Sequence, residues 1–194
     1  LVKKSRREGY RARSVYKLTE LDDTEHLFRP GMNVADLGSA PGSWTQIVRE
    51  RLTDKNGELK GRIIAMDILP MEPIDGVTFL QGDFREQEVA DKLNEILGGD
   101  KLDVVISDMA PNLSGIAMVD ANASLLLNEL ALDFAVEHLK PEGVFVTKAF
   151  QGSGYSQFIE NCKKHFVSVA QRKPEASRNS SAEMYVVARR LKNK

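Results

Sequence analysis

The sequence predicts an α/β protein whose core is a mainly parallel, doubly wound sheet with one reversed strand. Three observations predict it. Short apolar runs alternate with longer amphipathic ones, the pattern of a βαβ series. Several runs close on a glycine-rich or charged turn, the place where open α/β sheets bind ligands. The last two runs have only residues 171–183 between them, too short for a crossover helix, so these strands pair antiparallel.

Taken in order, a helical pattern near 13–26 precedes the first strand, 33–37 (NVADL). Strands follow at 62–67, 77–80, 102–107, 143–149, 165–170 and 184–188, with helices near 42–53, 85–98, 121–139 and 154–164. Turns fall where glycine and proline cluster, at Pro30-Gly31, Gly98-Gly99 and Pro141-Glu142-Gly143, and there is no internal repeat. With 194 residues, 42% hydrophobic and 28% charged, the chain can bury one core. The expectation is therefore a single domain over 1–194, with 1–26 a basic segment and helix ahead of the core.

The lone cysteine, Cys162, has no partner for a disulfide, and no apolar run reaches the length of a membrane span. A basic start without a hydrophobic signal core adds to the expectation of a cytoplasmic protein. A start at Leu1 rather than methionine leads us to expect residues upstream.

The net charge of -1 hides a segregation. Residues 1–17 carry Lys3, Lys4, Arg6, Arg7, Arg11, Arg13 and Lys17 against Glu8 alone, and residues 163–194 are basic apart from Glu175 and Glu183. Two basic ends around an acidic body describe either a clamp for a polyanion or plain solvated surface.

The strand ends carry the chemistry. The first closes in ADLGSAPGSW, where Gly38 and Gly42 permit a tight turn and close approach to a ligand, with Asp36 a carboxylate beside it. Neither G-x-G-x-x-G nor G-x-x-x-x-G-K-[ST] is present, which disfavours a pyrophosphate or triphosphate and a nicotinamide oxidoreductase. Asp67 ends the second strand, where an acid can accept hydrogen bonds from a ribose diol, and Asp83 in LQGDF can accept from an exocyclic amine. Asp108 leaves the fourth strand in SDMAPNLSG, Lys148 closes the fifth in KAFQG, and Glu183 opens the last. They form either a structural ion pair at the sheet rim or a reactive centre.

These segments, DLGSAPGSW, DILPM, QGDF, SDMAPNLSG, KAFQG and SAEMYVVA, resemble in order and spacing the FtsJ (RrmJ) family of S-adenosylmethionine-dependent ribosomal RNA 2′-O-ribose methyltransferases. The resemblance covers nearly the whole chain, and RSVYKLTEL at 13–21 adds the family's N-terminal lysine helix. It implies a Rossmann-like methyltransferase fold with seven strands and helices on both faces. It implies a catalytic tetrad of Lys17, Asp108, Lys148 and Glu183, and an S-adenosylmethionine site at Gly38, Gly42, Trp44, Asp67, Asp83 and Asp108. Ser43 departs from the family, which often has a second glycine there, so the local turn is the point to check. The implied substrate is a uridine ribose of 23S ribosomal RNA near the peptidyl-transferase centre, within the large ribosomal subunit, and the expected state is a monomer. A tRNA or mRNA-cap 2′-O-methyltransferase and a non-catalytic RNA-binding assembly factor are the alternatives.

A ribose hydroxyl is a poor nucleophile and a sulfonium methyl is already activated, so the enzyme must align the reacting atoms and help remove one proton. This needs no metal, and His26, His138 and His165 have no ligand-like spacing. Lys148 is the candidate to touch the hydroxyl, either neutral as a base or charged as an orienting group with the proton leaving to Asp108 or water. Arg7, Arg11, Arg172 and Lys173 are expected to hold RNA phosphates around it, with Tyr10 and Tyr16 either stacking on a base or anchoring a helix.

Overall fold

The computed structural model describes residues 1–112, 114–180 and 182–193. Its elements run α1 (Val2–Arg7), α2 (Val15–Glu25), β1 (Asn33–Leu37), α3 (Ser43–Leu52), β2 (Arg62–Asp67), β3 (Thr78–Gln81), α4 (Gln87–Leu97), β4 (Leu102–Ser107), α5 (Ala117–His138), β5 (Leu139–Phe150), α6 (Tyr155–His165), β6 (Phe166–Arg172) and β7 (Glu183–Leu191). A short 3₁₀ turn at Glu175–Ser177 lies between the last two strands.

The seven strands form one sheet in the order β3-β2-β1-β4-β5-β7-β6. The pairs β2–β3, β1–β2, β1–β4 and β4–β5 are parallel. β7 slots between β5 and β6 and runs antiparallel to both, which is the reversed strand the short 171–183 connection demands. All five residues of β1 are buried, as a central strand covered on both faces requires.

Side chains alternate between two cores. One face packs Ala35, Leu37, Ile64, Met66, Val105, Phe145 and Val186 under α4, α5 and α6. The other packs Val34, Ile63, Val104, Ile106, Val144, Val146, Tyr185 and Val187 under α2 and α3. The amphipathic helices explain the assignment: α4 turns Val89, Leu93 and Leu97 inward at a spacing of four, and α2 turns Val15, Leu18 and Leu21 inward at a spacing of three. Cys162 is fully buried on α6, where burial pushes its thiol up to about 12, consistent with a core role.

The elements fall where expected with shifts at their ends, the largest in α5, β5 and β7. β5 begins at Leu139 rather than 143, because Leu139 still pairs with Leu102 across an irregularity in the ladder. The N-terminal segment contains α1, a one-and-a-half-turn helix rich in lysine and arginine and pinned by the buried Ser5, whose hydroxyl donates to the Val2 carbonyl. Among the described residues no helix is long and apolar enough to cross a membrane.

Candidate active site

The site follows from strand parity. Side chains two apart share a face, so Asp108 emerges on the same face as Val104 and Ile106, Lys148 on that of Val144 and Val146, and Glu183 on that of Tyr185 and Val187. This is the α2 and α3 face, and α2 delivers Lys17 onto it beside the buried Leu18 and Leu21. Lys148 Nζ lies 3.4 Å from Asp108 Oδ1, and Lys17 Nζ lies 2.9 Å from Glu183 Oε2 and 3.2 Å from Oε1. The side chains of Lys17, Asp108, Lys148 and Glu183 are 17%, 19%, 12% and 5% exposed, so each charge keeps a partner in a site only partly open to water. The structure thus brings the four expected tetrad residues together.

Tyr185 belongs to the same cluster and was not singled out from the sequence, where a tyrosine in a strand reads as packing. It stands directly across from Lys148 in the β5–β7 ladder, and its hydroxyl donates to Asp108 Oδ1 at 3.1 Å. Burial and the neighbouring Asp108 and Glu183 charges push the Tyr185 phenol far up, so it remains a donor. Asp108 is raised chiefly by burial, while Lys148, Lys17 and the Tyr185 hydroxyl pull it back. Lys173 holds the start of β7, its ammonium donating to the Ser180 and Glu183 carbonyls.

Beside the tetrad, over β1, β2 and β3, lies a cleft in two parts that share Gly38. The polar part is about 60 Å³ and touches Asp36, Ser39, Ser43 and Asp108. Ser39 Oγ is buried there with no hydrogen-bond partner, and Asp36 accepts only the Thr45 hydroxyl at 2.7 Å among the described bonds. Burial is the main reason Asp36 rises to about 7, with Asp108 and Asp67 adding to it. The apolar part is about 210 Å³, walled by Met66, Ile68, Phe84, Met109 and Leu130, and rimmed by Asp67 and Asp83. An orphaned hydroxyl and an under-partnered carboxylate next to an apolar slot fit an elongated ligand with an ionic head and a flat heteroaromatic end.

The glycines of the turn are required. Gly38 has φ of 69° and a Cβ there would lie 2.2 Å from Met109 Cγ; Gly42 has φ of 117° and its Cβ would meet the Arg11 guanidinium at 2.9 Å. Ser43 fits where a second glycine was expected, its hydroxyl 2.9 Å from that of Ser14 at the head of α2. Trp44 borders the polar part of the cleft but is 2% exposed; its indole N–H donates to the Ser14 carbonyl and its ring packs on Tyr185 at 5.8 Å. It ties α2, and so Lys17, to the sheet. Asp67 accepts the Ala40 and Leu69 backbone N–H groups at 2.8 and 2.9 Å, which leaves lone pairs toward the cleft. Asp83 is forked onto Arg85, whose hydrogen bonds hold its carboxyl below the ordinary range.

Of the four residues expected to hold phosphate, the structure gives three another task. Arg11 donates to the carbonyls of Pro41, Glu72 and Pro73 at 2.9, 2.7 and 3.1 Å, strapping the 71–74 loop down over Gly42. Arg172 pairs with Glu25 at 2.6 Å, and Lys173 holds β7 as described. Arg7 is exposed on α1, as are Arg6 and Arg13 nearby. Tyr10 and Tyr16 pack edge to face and donate to Glu50 and Glu8, which anchors the arm. His26 ends α2, His138 packs on Phe134 and His165 ends α6; no cluster of three His, Cys, Asp or Glu suited to a metal occurs among the described residues.

A mainly parallel sheet with β7 reversed beside β5, and a two-part cleft opening onto a lysine–carboxylate cluster, define the methyltransferase class of α/β proteins. The sequence is 53% identical to the ribosomal RNA large subunit methyltransferase E of Cupriavidus necator over 98% of this chain and 90% of that one. It is 54% identical to the protein of the same name from Bordetella petrii over 99% and 91%. The crystal structure of a protein assigned as a ribosomal RNA methyltransferase from Plasmodium falciparum superposes with a TM-score of 0.82 at 33% identity, covering 94% of this chain and 98% of that one. The family model for FtsJ-like methyltransferases matches residues 10–191, and the chain belongs to that family.

Proposed function

We propose that this chain, acting as a single-domain monomer, methylates a ribose 2′-hydroxyl of large-subunit ribosomal RNA, a uridine of the 23S molecule, with S-adenosylmethionine as donor. The observation that carries this reading is the meeting of Lys148 and Asp108 at 3.4 Å beside a cleft shaped for an ionic head and a flat base. Asp36 and Ser39 would hold the donor's amino-acid end, and Asp67 and Asp83 its nucleoside. When bound, the donor supplies a methyl group on a sulfonium, which needs no further activation.

The chain's own residues do the rest. Lys148 donates an N–H to the ribose oxygen and fixes its direction. Asp108, made more basic by burial, takes the hydroxyl proton as the oxygen–carbon bond forms and the carbon–sulfur bond breaks. Tyr185 holds Asp108 from behind, and Lys17 neutralises Glu183, so that neither carboxylate is left unpaired. Exposed Arg6, Arg7 and Arg13 line the approach from α1 and meet phosphates. The substrate belongs to the ribosomal RNA because the relatives named above carry that designation over nearly their whole length.

Single-turnover methyl transfer with RNA and donor at saturation tests this. Lys148→Ala and Lys148→Arg should both lose about 10²–10⁴-fold in rate, arginine because its larger planar head cannot take the place of the ammonium. Both should keep donor affinity. Glu183→Gln should lose less, since Glu183 touches Lys17 rather than the reacting atoms. A folded Lys148→Ala that transferred methyl at the parental rate would reduce the tetrad to a structural ion-pair network.

A further inference from the structure

A second cavity of about 560 Å³ shares no lining residue with the two parts of the Gly38 cleft. Three chain segments lead from the tetrad into its wall. Asp108 is followed by Ala110 and Pro111, Lys148 by Phe150, and Glu183 is preceded by Ala182. Phe150 lines the cavity, and its ring centroid is 5.8 Å from Lys148 Nζ. Across from it α5 presents Ala121, Ser124 and Asn128 from one face, and Asn128 Nδ2 donates to the Lys148 carbonyl at 2.7 Å, tying that wall to the strand that carries the lysine.

Among the described residues the lining has no cation. Its ionisable groups are Asp120, which accepts the backbone N–H groups of Ser114 and Gly115 and the Ser114 hydroxyl, and Tyr155, whose hydroxyl donates to Gln171. A phosphate is therefore unwelcome, and a neutral planar group suits the aromatic wall. The side-chain amides of Gln151 and Asn179 also line the cavity, without a side-chain partner among the described bonds, and offer both donors and acceptors.

We propose that this cavity receives the unpaired base of the nucleotide whose ribose is methylated, stacked against Phe150. The inference rests on the ribose-methylation reading above. The base is carried by the carbon bonded to the one that bears the hydroxyl, so an oxygen held at Lys148 puts its own base beside Phe150. Single-stranded RNA is commonly read this way, by stacking on an aromatic ring and hydrogen bonding at the exposed edge.

The test is methyl transfer to two versions of a large-subunit RNA fragment that the parental protein methylates, one intact and one abasic at the target nucleotide. The parental protein should prefer the intact RNA by about tenfold or more in kcat/KM. Ala121→Trp and Ser124→Trp, which fill the cavity from α5, should lower the intact RNA to the level of the abasic one, with unchanged affinity for S-adenosylmethionine reporting an intact fold. A preference retained in both variants, or a parental preference that follows an abasic site at the neighbouring nucleotide instead, overturns the base pocket and leaves the methylation reading standing. A parental protein that methylates no ribose in any ribosomal RNA refutes that reading itself and the pocket with it.

Discussion

Asp36 should trade fold stability for ligand binding, and Asp36→Asn separates the two. Its carboxyl is 1% exposed and rises from the usual 3.8 to about 7, chiefly through burial. Between these values the native protein binds a proton that the unfolded chain has released, so stability falls as pH rises through the window. A rise of about three units at about 1.4 kcal/mol each makes the full deficit ~4 kcal/mol above the native value. Asparagine removes it and keeps an oxygen for the Thr45 hydroxyl, whose bond to the carboxylate is already included in the raised value. The variant without ligand should therefore be about 4 kcal/mol more stable than the parent at pH 8, with the advantage gone near pH 4. Urea denaturation across that range measures the difference, which cancels the titrating groups that do not interact with Asp36. Calorimetry should show the opposite for S-adenosylmethionine, whose ammonium loses its carboxylate: affinity should fall tenfold or more. A stability difference that did not change with pH would refute the buried-carboxyl account.

Two further outcomes are expected. Arg11→Ala releases the 71–74 loop from three carbonyl contacts, so S-adenosylmethionine affinity should drop several-fold in calorimetry; an unchanged affinity would show that the strap does not shape the cleft. Tyr185→Phe removes a donor that favours ionised Asp108, so the acid limb of the methyl-transfer pH profile should move to higher pH. A limb that stayed in place would separate Asp108 ionisation from the reaction.

The strand ends were legible because they depend on local chemistry. A run such as Val144-Phe145-Val146 announces a buried strand, and a lysine just beyond it has few structural excuses. The strand order then places Asp108, Lys148 and Glu183 on one rim of the sheet, while their common face comes from the register. Arg11 was not legible in this way. Its arginine-rich surroundings suggest phosphate, but its partners Pro41, Glu72 and Pro73 lie 30 to 62 residues away, and nothing local to the arm encodes them. Tyr185 was hidden for the opposite reason: an aromatic residue in a buried strand is explained by packing, and only the register opposite Lys148 exposes its hydroxyl's role. Asp83 and Trp44 occupy the expected neighbourhood, yet they contact Arg85, Ser14 and Tyr185, ties within the fold that residue type alone does not reveal.

The place of β7 bears on how this protein is made. Ribosomes deliver β5 and β6 before β7, yet the finished sheet has β7 between them. A growing chain that has not reached Glu183 thus leaves β5 and β6 each with an edge lacking the partner that β7 will supply, β5 bearing the apolar Val144–Val146 run. Such edges recruit strands from other chains, so the nascent molecule is most prone to aggregate in the interval before its final strand is inserted. The same insertion brings Glu183 to Lys17 across 166 residues of sequence and Tyr185 to Asp108. Methyl transfer can therefore begin only after the hazard has passed, and a molecule that is catalytically competent has already closed the edges of β5 and β6 that face β7.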